Sequence, residues 1–183
     1  MANVNAPFGF RPTMRTVTGA SGRMIAAHKI AGYGTALFMN DAVTHAANGT
    51  KNNPAIDKGI TPGSTPVLGI NLQYGAASTA TDHTIVLASA GAVFVVQGDG
   101  SAGGGSPIAA ASLSMNANIV MTAGSATLLT SKQSLSETSL ATTNTLDLRV
   151  RKLWESPDNA FGQYARVEVT FNNLVDADQK AGI

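Results

Sequence analysis

The chain has no cysteine and few charged residues, and both absences exclude whole classes of protein. Without cysteine, neither a disulfide framework nor a thiolate metal site is possible. Charged residues make up only 13% of the 183 residues, and the formal net charge is +1. Such a chain has no long-range field to attract nucleic acid and no polybasic segment to hold an anionic membrane. We therefore expect neither nucleic acid nor a membrane as its partner.

Long apolar runs are also absent. No uninterrupted segment approaches the roughly 20 residues that span a bilayer. The first fifteen residues, MANVNAPFGFRPTMR, lack the apolar run of a signal peptide. We therefore expect the protein to be made and folded in the cytoplasm.

Aromatic residues are scarce as well, at 5% of the chain with a single tryptophan, although 44% of the residues are hydrophobic. This composition predicts a core of small and aliphatic side chains, which is thin for the length of the chain. The length itself suits one domain. A chain with a modest core often gains stability by packing against other subunits, so an oligomer or an assembly agrees with the composition.

Residues 1–22 have the composition of an extended N-terminal arm. In NAPFGFRP, Phe8 and Phe10 stand among two prolines and a glycine, which oppose both helix and regular ladder pairing. Two phenylalanines in a segment without a core of its own need a surface to pack on. That surface is either this chain's own β domain or a neighbouring molecule.

From residue 23 onward the pattern favours short strands separated by turns. The predicted strands fall within residues 23–31, 36–47, 66–75, 83–100, 116–123 and 125–131. The fourth of these ranges reads as a hairpin that closes near residues 89–91, and PIAAASL, at 107–113, indicates a short helical turn.

With almost no helix, the best fold class is an antiparallel β-sandwich or barrel. The predicted single β domain covers residues 23–175, with long loops at 48–66 and 98–107, and a C-terminal tail follows at 176–183.

The closing segment has the clearest strand pattern and much of the charge. LDLRVRKLW and ARVEVTF each alternate with period two, which predicts two paired, half-buried strands. Strict alternation places Val150, Lys152 and Trp154 on one face of the first strand, and Arg149 and Arg151 on the other. Between the strands, SPDN at 156–159 predicts a type I turn.

If these strands pair, the arginines can meet Glu168 across the sheet. Exposed ion pairs of this kind contribute under about 1 kcal/mol. The charges therefore indicate solubility or binding to a partner more than stability of the monomer.

One nucleotide-binding pattern occurs, since Gly98, Gly100 and Gly103 spell GxGxxG. The dinucleotide mechanism needs a helix N-terminus at this point and an acidic residue about 20 positions later. The sequence continues GGSPIAAAS instead, and no acidic residue lies between Asp99 and Glu137. The pattern therefore favours a plain glycine loop, and no cofactor is expected.

The histidines, His28, His45 and His83, form no zinc-binding pair at i, i+4. TDH, at 81–83, could supply an acid–histidine pair for a hydroxyl nucleophile, but no nucleophile elbow is present. Asp176 and Asp178 suggest a divalent ion only weakly, because carboxylates near a terminus are usually solvated. We predict no catalytic and no metal site, and hence a protein that is not an enzyme.

Taken together, NAPFGFRP, VLGINL, VFVVQGDG, NANIV and TLDLRVRKLWESPDNAFGQYARVEVTFNN resemble small virion proteins of tailed bacteriophages. These are the head decoration, or cement, proteins encoded beside the major capsid protein. The likeness extends over nearly the whole chain, and its most specific parts are the N-terminal segment and the closing PDN hairpin.

The resemblance implies a mostly β protein, often of jelly-roll type, bound as a homo-oligomer (a dimer or trimer) to the outside of an icosahedral shell. Its partner would be the major capsid protein, its location the capsid exterior, and its place of synthesis the host bacterial cytoplasm. On this hypothesis the protein-interface residues are Phe8, Phe10, Arg11, Arg149, Arg151 and Trp154, because Trp and Arg dominate many interfaces. For Trp154, a place at the edge of the core is the alternative.

Two rival functions remain open from the sequence. A tail, fibre or head-completion protein would equally be expected to have no catalytic, metal or cofactor site. A carbohydrate-binding β-sandwich needs exposed aromatic rings, of which one Trp and three Tyr offer few.

Overall fold

The structure is a computed structural model that describes residues 3–16, 23–46, 53–89, 91–100, 104–175 and 182, with the backbone alone at 14–16. Across these residues the regular secondary structure is mainly β, with two short 3-10 turns at Ala110–Ser112 and Glu137–Ser139. The strands are β1 Arg11–Thr16, β2 Met24–Lys29, β3 Ala42–His45, β4 Ile56–Asp57, β5 Gly69–Asn71, β6 Thr81–Leu87, β7 Ala92–Gln97, β8 Asn116–Ala117, β9 Ile119–Val120, β10 Ser134–Leu135, β11 Leu148–Leu153 and β12 Arg166–Phe171.

The larger sheet has the strand order β1-β7-β12-β11-β8, and every neighbouring pair is antiparallel. The closing strands β11 and β12 pair with each other, as their alternation predicts. The predicted turn between them is also present, because the N–H of Asn159 donates to Ser156 O at 3.0 Å.

The second sheet has the order β2-β6-β5-β3-β4 and is curled. Its two edges approach each other, since the N–H of His28 in β2 donates to Pro54 O, just before β4, at 3.0 Å. A two-stranded ladder of β9 and β10 completes the described sheets.

The buried apolar residues form two clusters. The larger cluster lies between the sheets and includes Phe94 and Val169 from one and Ile70 and Val86 from the other. The smaller one lies on the opposite side of the curled sheet and includes Val43, Ile56 and Ile85. Antiparallel sheets packed in this way confirm the predicted fold class of β-sandwich or barrel.

Several local predictions need correction. The prediction of a hairpin at 83–100 is wrong, because β6 belongs to the curled sheet and β7 to the larger one, so the chain crosses between the sheets after β6. The strand at 125–131 is also wrong. Leu128 is 71% exposed there, and Leu129 has a positive φ of 55°, which no regular strand adopts. The helical turn predicted within 107–113 is present as a 3-10 turn.

The structure describes parts of the predicted N-terminal arm, of the loop at 48–66 and of the C-terminal tail. Residues 11–16 of the N-terminal segment form β1 and pair with β7 in the larger sheet. The predicted loop at 48–66 contains β4. The tail at 176–183 lies outside the described residues except for Gly182, whose N–H donates to Thr142 O at 2.8 Å.

Candidate interaction surface

The larger sheet has an outer face that points away from the core. In cross-strand register, Arg11 lies opposite Val95, and Val95 lies opposite Glu168. Glu168 in turn lies opposite Lys152. Directly opposed residues project to the same side of a sheet, so this row crosses four strands on one face. Phe94, the neighbour of Val95 in β7, is a core residue, which identifies the row as the outer face.

A β-bulge in β11 adds Arg151 to this outer face. Val150 lies opposite Val169, whereas Lys152 lies opposite Glu168, so β11 has one more residue than β12 between the two pairs. The extra residue is Arg151. Its Nε donates a hydrogen bond to Thr170 of β12, which places the side chain on the outer side with Arg149.

The bulge also shifts the alternation of the rest of β11. Leu153, and not Lys152, packs against the larger core. The expectation that Val150, Lys152 and Trp154 share one face is therefore wrong beyond residue 150. Trp154 follows Leu153 and so lies on the same side as Lys152.

The outer face is rich in cations, and we refer to it as the basic face. It carries Arg11, Arg149, Arg151, Lys152 and Arg166.

The protein holds two of these guanidinium groups in place through neutral hydrogen-bond acceptors. Arg149 Nε donates to Asn116 Oδ1 at 3.2 Å, and Arg151 Nε donates to Thr170 Oγ1 at 3.0 Å. Asn116 and Thr170 are buried, so both acceptors are fixed within the sheet. Partial burial lowers the pKa of Arg151, and the neighbouring positive charge of Arg149 lowers it further. The two arginines therefore form a cationic pair with a defined orientation.

Two other cations of the basic face have acidic partners beside them. Arg166 contacts Asp158 at 2.7 Å, and Lys152 contacts Glu155 at 2.5 Å. The pKa of Asp158 is lowered, first by a hydrogen bond from Ser156 and then by Arg166. Both carboxylates are well exposed, so these pairs add little to stability.

Phe8 and Arg11 extend the basic face at its β1 edge. The Arg11 guanidinium lies 4.8 Å from the centre of the Phe8 ring, in cation–π contact. Arg11 is exposed and Phe8 is half-buried. The backbone at Phe8 is tied to the domain, since Asn40 Nδ2 donates to Phe8 O at 3.2 Å.

Phe10 has a different environment, and its prediction as an interface residue is wrong. Its side chain is 0% exposed and lies in the larger core, with its ring centre 5.2 Å from that of Phe171. Gly9 separates the two phenylalanines and has a positive φ of 75°, which turns the chain between them. Of the two surfaces considered for this segment, Phe10 packs on the chain's own domain.

Trp154 lies at the end of β11, where the link to β12 begins. Its backbone N–H donates to Arg166 O at 2.9 Å. Asn159 holds the two ends of this link together, because its Nδ2 donates to the carbonyl oxygens of both Trp154 and Arg166, at 2.7 and 2.8 Å. The indole is half-buried, which agrees with either an interface position or the edge of the core.

The structure thus brings five of the six predicted interface residues to one side of the larger sheet. They are Phe8, Arg11, Arg149, Arg151 and Trp154. Sequence reasoning missed Asn116 and Thr170, which orient the arginines. It also missed the bulge. The sequence contained a sign of it, because strict alternation would place Lys152 on the core side and Leu153 on the polar side.

Two of the three glycines in the pattern that resembles a nucleotide loop lie where there is no room for a side chain. A side chain at Gly98 would collide with the Glu137 carboxylate, and one at Gly100, where φ is +76°, would collide with the Tyr164 ring. Buried Glu137 accepts N–H groups from Gly100 and Tyr164 at 3.3 and 3.1 Å. Gly103 lies outside the described residues. The two described glycines, Gly98 and Gly100, therefore pack closely against an internal carboxylate and its neighbour Tyr164.

The acid–histidine pair considered for TDH is not formed. His83 Nδ1 lies 2.7 Å from Asn71 Oδ1, and Nε2 lies 3.1 Å from Thr81 Oγ1. Asp82 lies on the other side of β6, opposite His28. Burial lowers the pKa of His83 and the positive charge of Lys29 lowers it further, whereas the negative charge of Asp82 acts in the opposite direction.

Among the described residues, no three His, Asp or Glu side chains are grouped so that they could hold a metal ion. Asp176 and Asp178 lie outside this part of the chain. The described part also contains no helix that is long and apolar enough to cross a membrane.

Comparisons of the chain with protein-family models, with curated proteins and with solved structures found no match.

Proposed function

We propose that this protein is a structural virion protein that binds the outer surface of a tailed-phage capsid and clamps neighbouring major capsid subunits. In this role it stabilises the head against the outward pressure of packaged DNA. The proposal combines the resemblance of the sequence with one structural observation. That observation is the convergence of Phe8, Arg11, Arg149, Arg151 and Trp154 on one side of a sheet.

The basic face has properties that suit a binding surface. Arg and Trp are the residue types most enriched at interface hot spots. The side chains of Arg149 and Arg151 are already oriented by Asn116 and Thr170, so binding costs less conformational entropy. A rigid β framework beneath them keeps their spacing constant.

A cement protein acts by mass action. It binds the assembled lattice and not the loose subunit, so its binding free energy adds to the stability of the shell. A homo-oligomer, a dimer or trimer, engages several lattice sites at once, and this raises the effective affinity without any new contact. The role needs no catalytic residue, cofactor, nucleic acid or membrane.

Retention on heads tests the proposal. Heads purified without this protein are mixed with the wild type or with an Arg149→Ala/Arg151→Ala variant, and bound protein is measured after sedimentation. We expect the wild type to bind and to delay the heat-induced release of DNA, and the double variant to lose at least tenfold in retention.

Arg23→Ala is the matched control, because Arg23 is an exposed cation on the other sheet, just before β2. It should bind like the wild type. Wild-type protein that fails to bind heads would refute the proposed function.

The rival role of a tail, fibre or head-completion protein is separated by copy number. Decoration predicts hundreds of copies in each purified virion, and the rival predicts a few to a dozen. Quantitative mass spectrometry of purified virions distinguishes them.

A further inference from the structure

The basic face has one half-buried cation whose charge is not balanced within the described chain. Arg151 donates from Nε to the hydroxyl of Thr170, which is a neutral acceptor. None of the ion pairs among the described residues includes Arg151. Burial lowers the pKa of Arg151 and the positive charge of Arg149 lowers it further, so the charged environment of its guanidinium is cationic. A half-buried guanidinium beside a second cation is unfavourable until an anion joins it.

We propose that Arg151 is the docking point for a carboxylate on an acidic segment of the partner protein, an inference that rests on the proposed binding role of the basic face. The hydrogen bond from Nε to Thr170 fixes the plane of the guanidinium. Its two Nη groups remain to hold one Asp or Glu side chain in a bidentate contact.

The charge of the whole basic face favours an acidic protein segment. Its five cations, Arg11, Arg149, Arg151, Lys152 and Arg166, meet three carboxylates, Glu155, Asp158 and Glu168, which leaves an excess of two positive charges. The whole chain has a net charge of only +1, so the excess is local to this face. A positive patch that meets a negative one raises the association rate and fixes the register of the complex.

A nucleic acid fits this face less well than a protein carboxylate does. The three acids are interspersed among the cations and would repel a continuous phosphate backbone. The two Nη groups of Arg151 instead match the two oxygens of a single carboxylate. Arg151 is partly buried and Thr170 is buried, which limits screening of that contact by salt.

Arg151→Lys is the decisive variant, because it keeps the positive charge and removes the planar pair of Nη donors. We expect its affinity for purified heads to fall at least tenfold. Thr170→Val keeps the shape of the buried side chain and removes the hydroxyl that orients Arg151. It should cause a smaller loss, about threefold, because the guanidinium is present but less fixed.

Competition identifies the chemistry of the partner. Poly-L-glutamate and a DNA duplex of equal total charge are each titrated into the wild type bound to heads. We expect polyglutamate to displace the wild type at lower concentration than DNA does. Direct titration without heads should show that polyglutamate binds the wild type at least tenfold more tightly than Arg151→Lys.

The outcomes separate this inference from the proposed function. Equal binding of heads by the wild type and Arg151→Lys would overturn the carboxylate site and leave the capsid role standing. Stronger competition by DNA would overturn it in favour of a phosphate ligand. Binding of polyglutamate that depends on Arg151 but is not matched by any binding to heads would refute the capsid role alone.

Discussion

Replacing Phe10 by alanine should destabilise the protein strongly, although the residue lies in a segment whose composition suggests a loose arm. The side chain is 0% exposed and packs on Phe171 with ring centres 5.2 Å apart. Truncation of a buried phenylalanine removes its apolar burial and leaves a cavity, at a cost of about 3–5 kcal/mol. In a domain of this size each kcal/mol lowers Tm by roughly 2–4 °C. We therefore expect Tm to fall by roughly 6–20 °C.

Phe8→Ala is the matched control, because Phe8 is the same residue type two positions away and lies outside the core. It loses a partly exposed cation–π contact with Arg11, so its cost should stay within about 1 kcal/mol. Urea unfolding, followed by Trp154 fluorescence and far-UV circular dichroism, measures both variants. Equal, small effects of the two substitutions would show that Phe10 is not a core residue and would refute the reasoning.

Other buried polar groups give further predictions. Asp147→Asn should cost about 1–3 kcal/mol in urea unfolding, because its carboxylate accepts N–H groups from Gly63, Ile119 and Asn173, and an amide NH₂ would face one of these donors; a change below about 0.5 kcal/mol would contradict this role. Lys29→Met should raise the free energy of unfolding at pH 7 by about 1 kcal/mol, since the buried amine has no hydrogen-bond partner among the described residues. Burial lowers the pKa of Lys29, so the unfolded state binds its proton more tightly and wild-type stability rises as the pH approaches 10.5. The advantage of Lys29→Met should therefore shrink in unfolding experiments at higher pH, and an advantage that is constant with pH would refute the burial argument.

The closing strands were predictable because each has one apolar face that packs on the larger core, and period-two alternation of the sequence reports that face directly. The crossing of the chain between β6 and β7 was not. Both strands are rich in β-branched residues, and β7 is buried on both faces, so its sequence has no alternation that says which sheet it joins. A short link between two such runs looks the same in a hairpin and in a crossing between sheets.

The candidate site was predictable in its residue types and less so in its geometry. Arg149 and Arg151 stood out as a charge cluster, and the structure places them side by side. Their orientation depends on Asn116, which is more than thirty residues earlier in the chain, and on a bulge that local propensity does not encode. Phe10 was misassigned because residue type cannot show that the positive φ of Gly9 turns the chain toward the core.

The place of β12 in the larger sheet has a consequence for biosynthesis. β12 is the last of the described strands to leave the ribosome, yet it lies between β7 and β11. During translation the sheet therefore has a gap in its middle, with an open edge on each side of the gap. Open edges recruit strands from other chains. A nascent polypeptide stalled before residue 166 should therefore aggregate with other copies instead of remaining a soluble, partly folded chain.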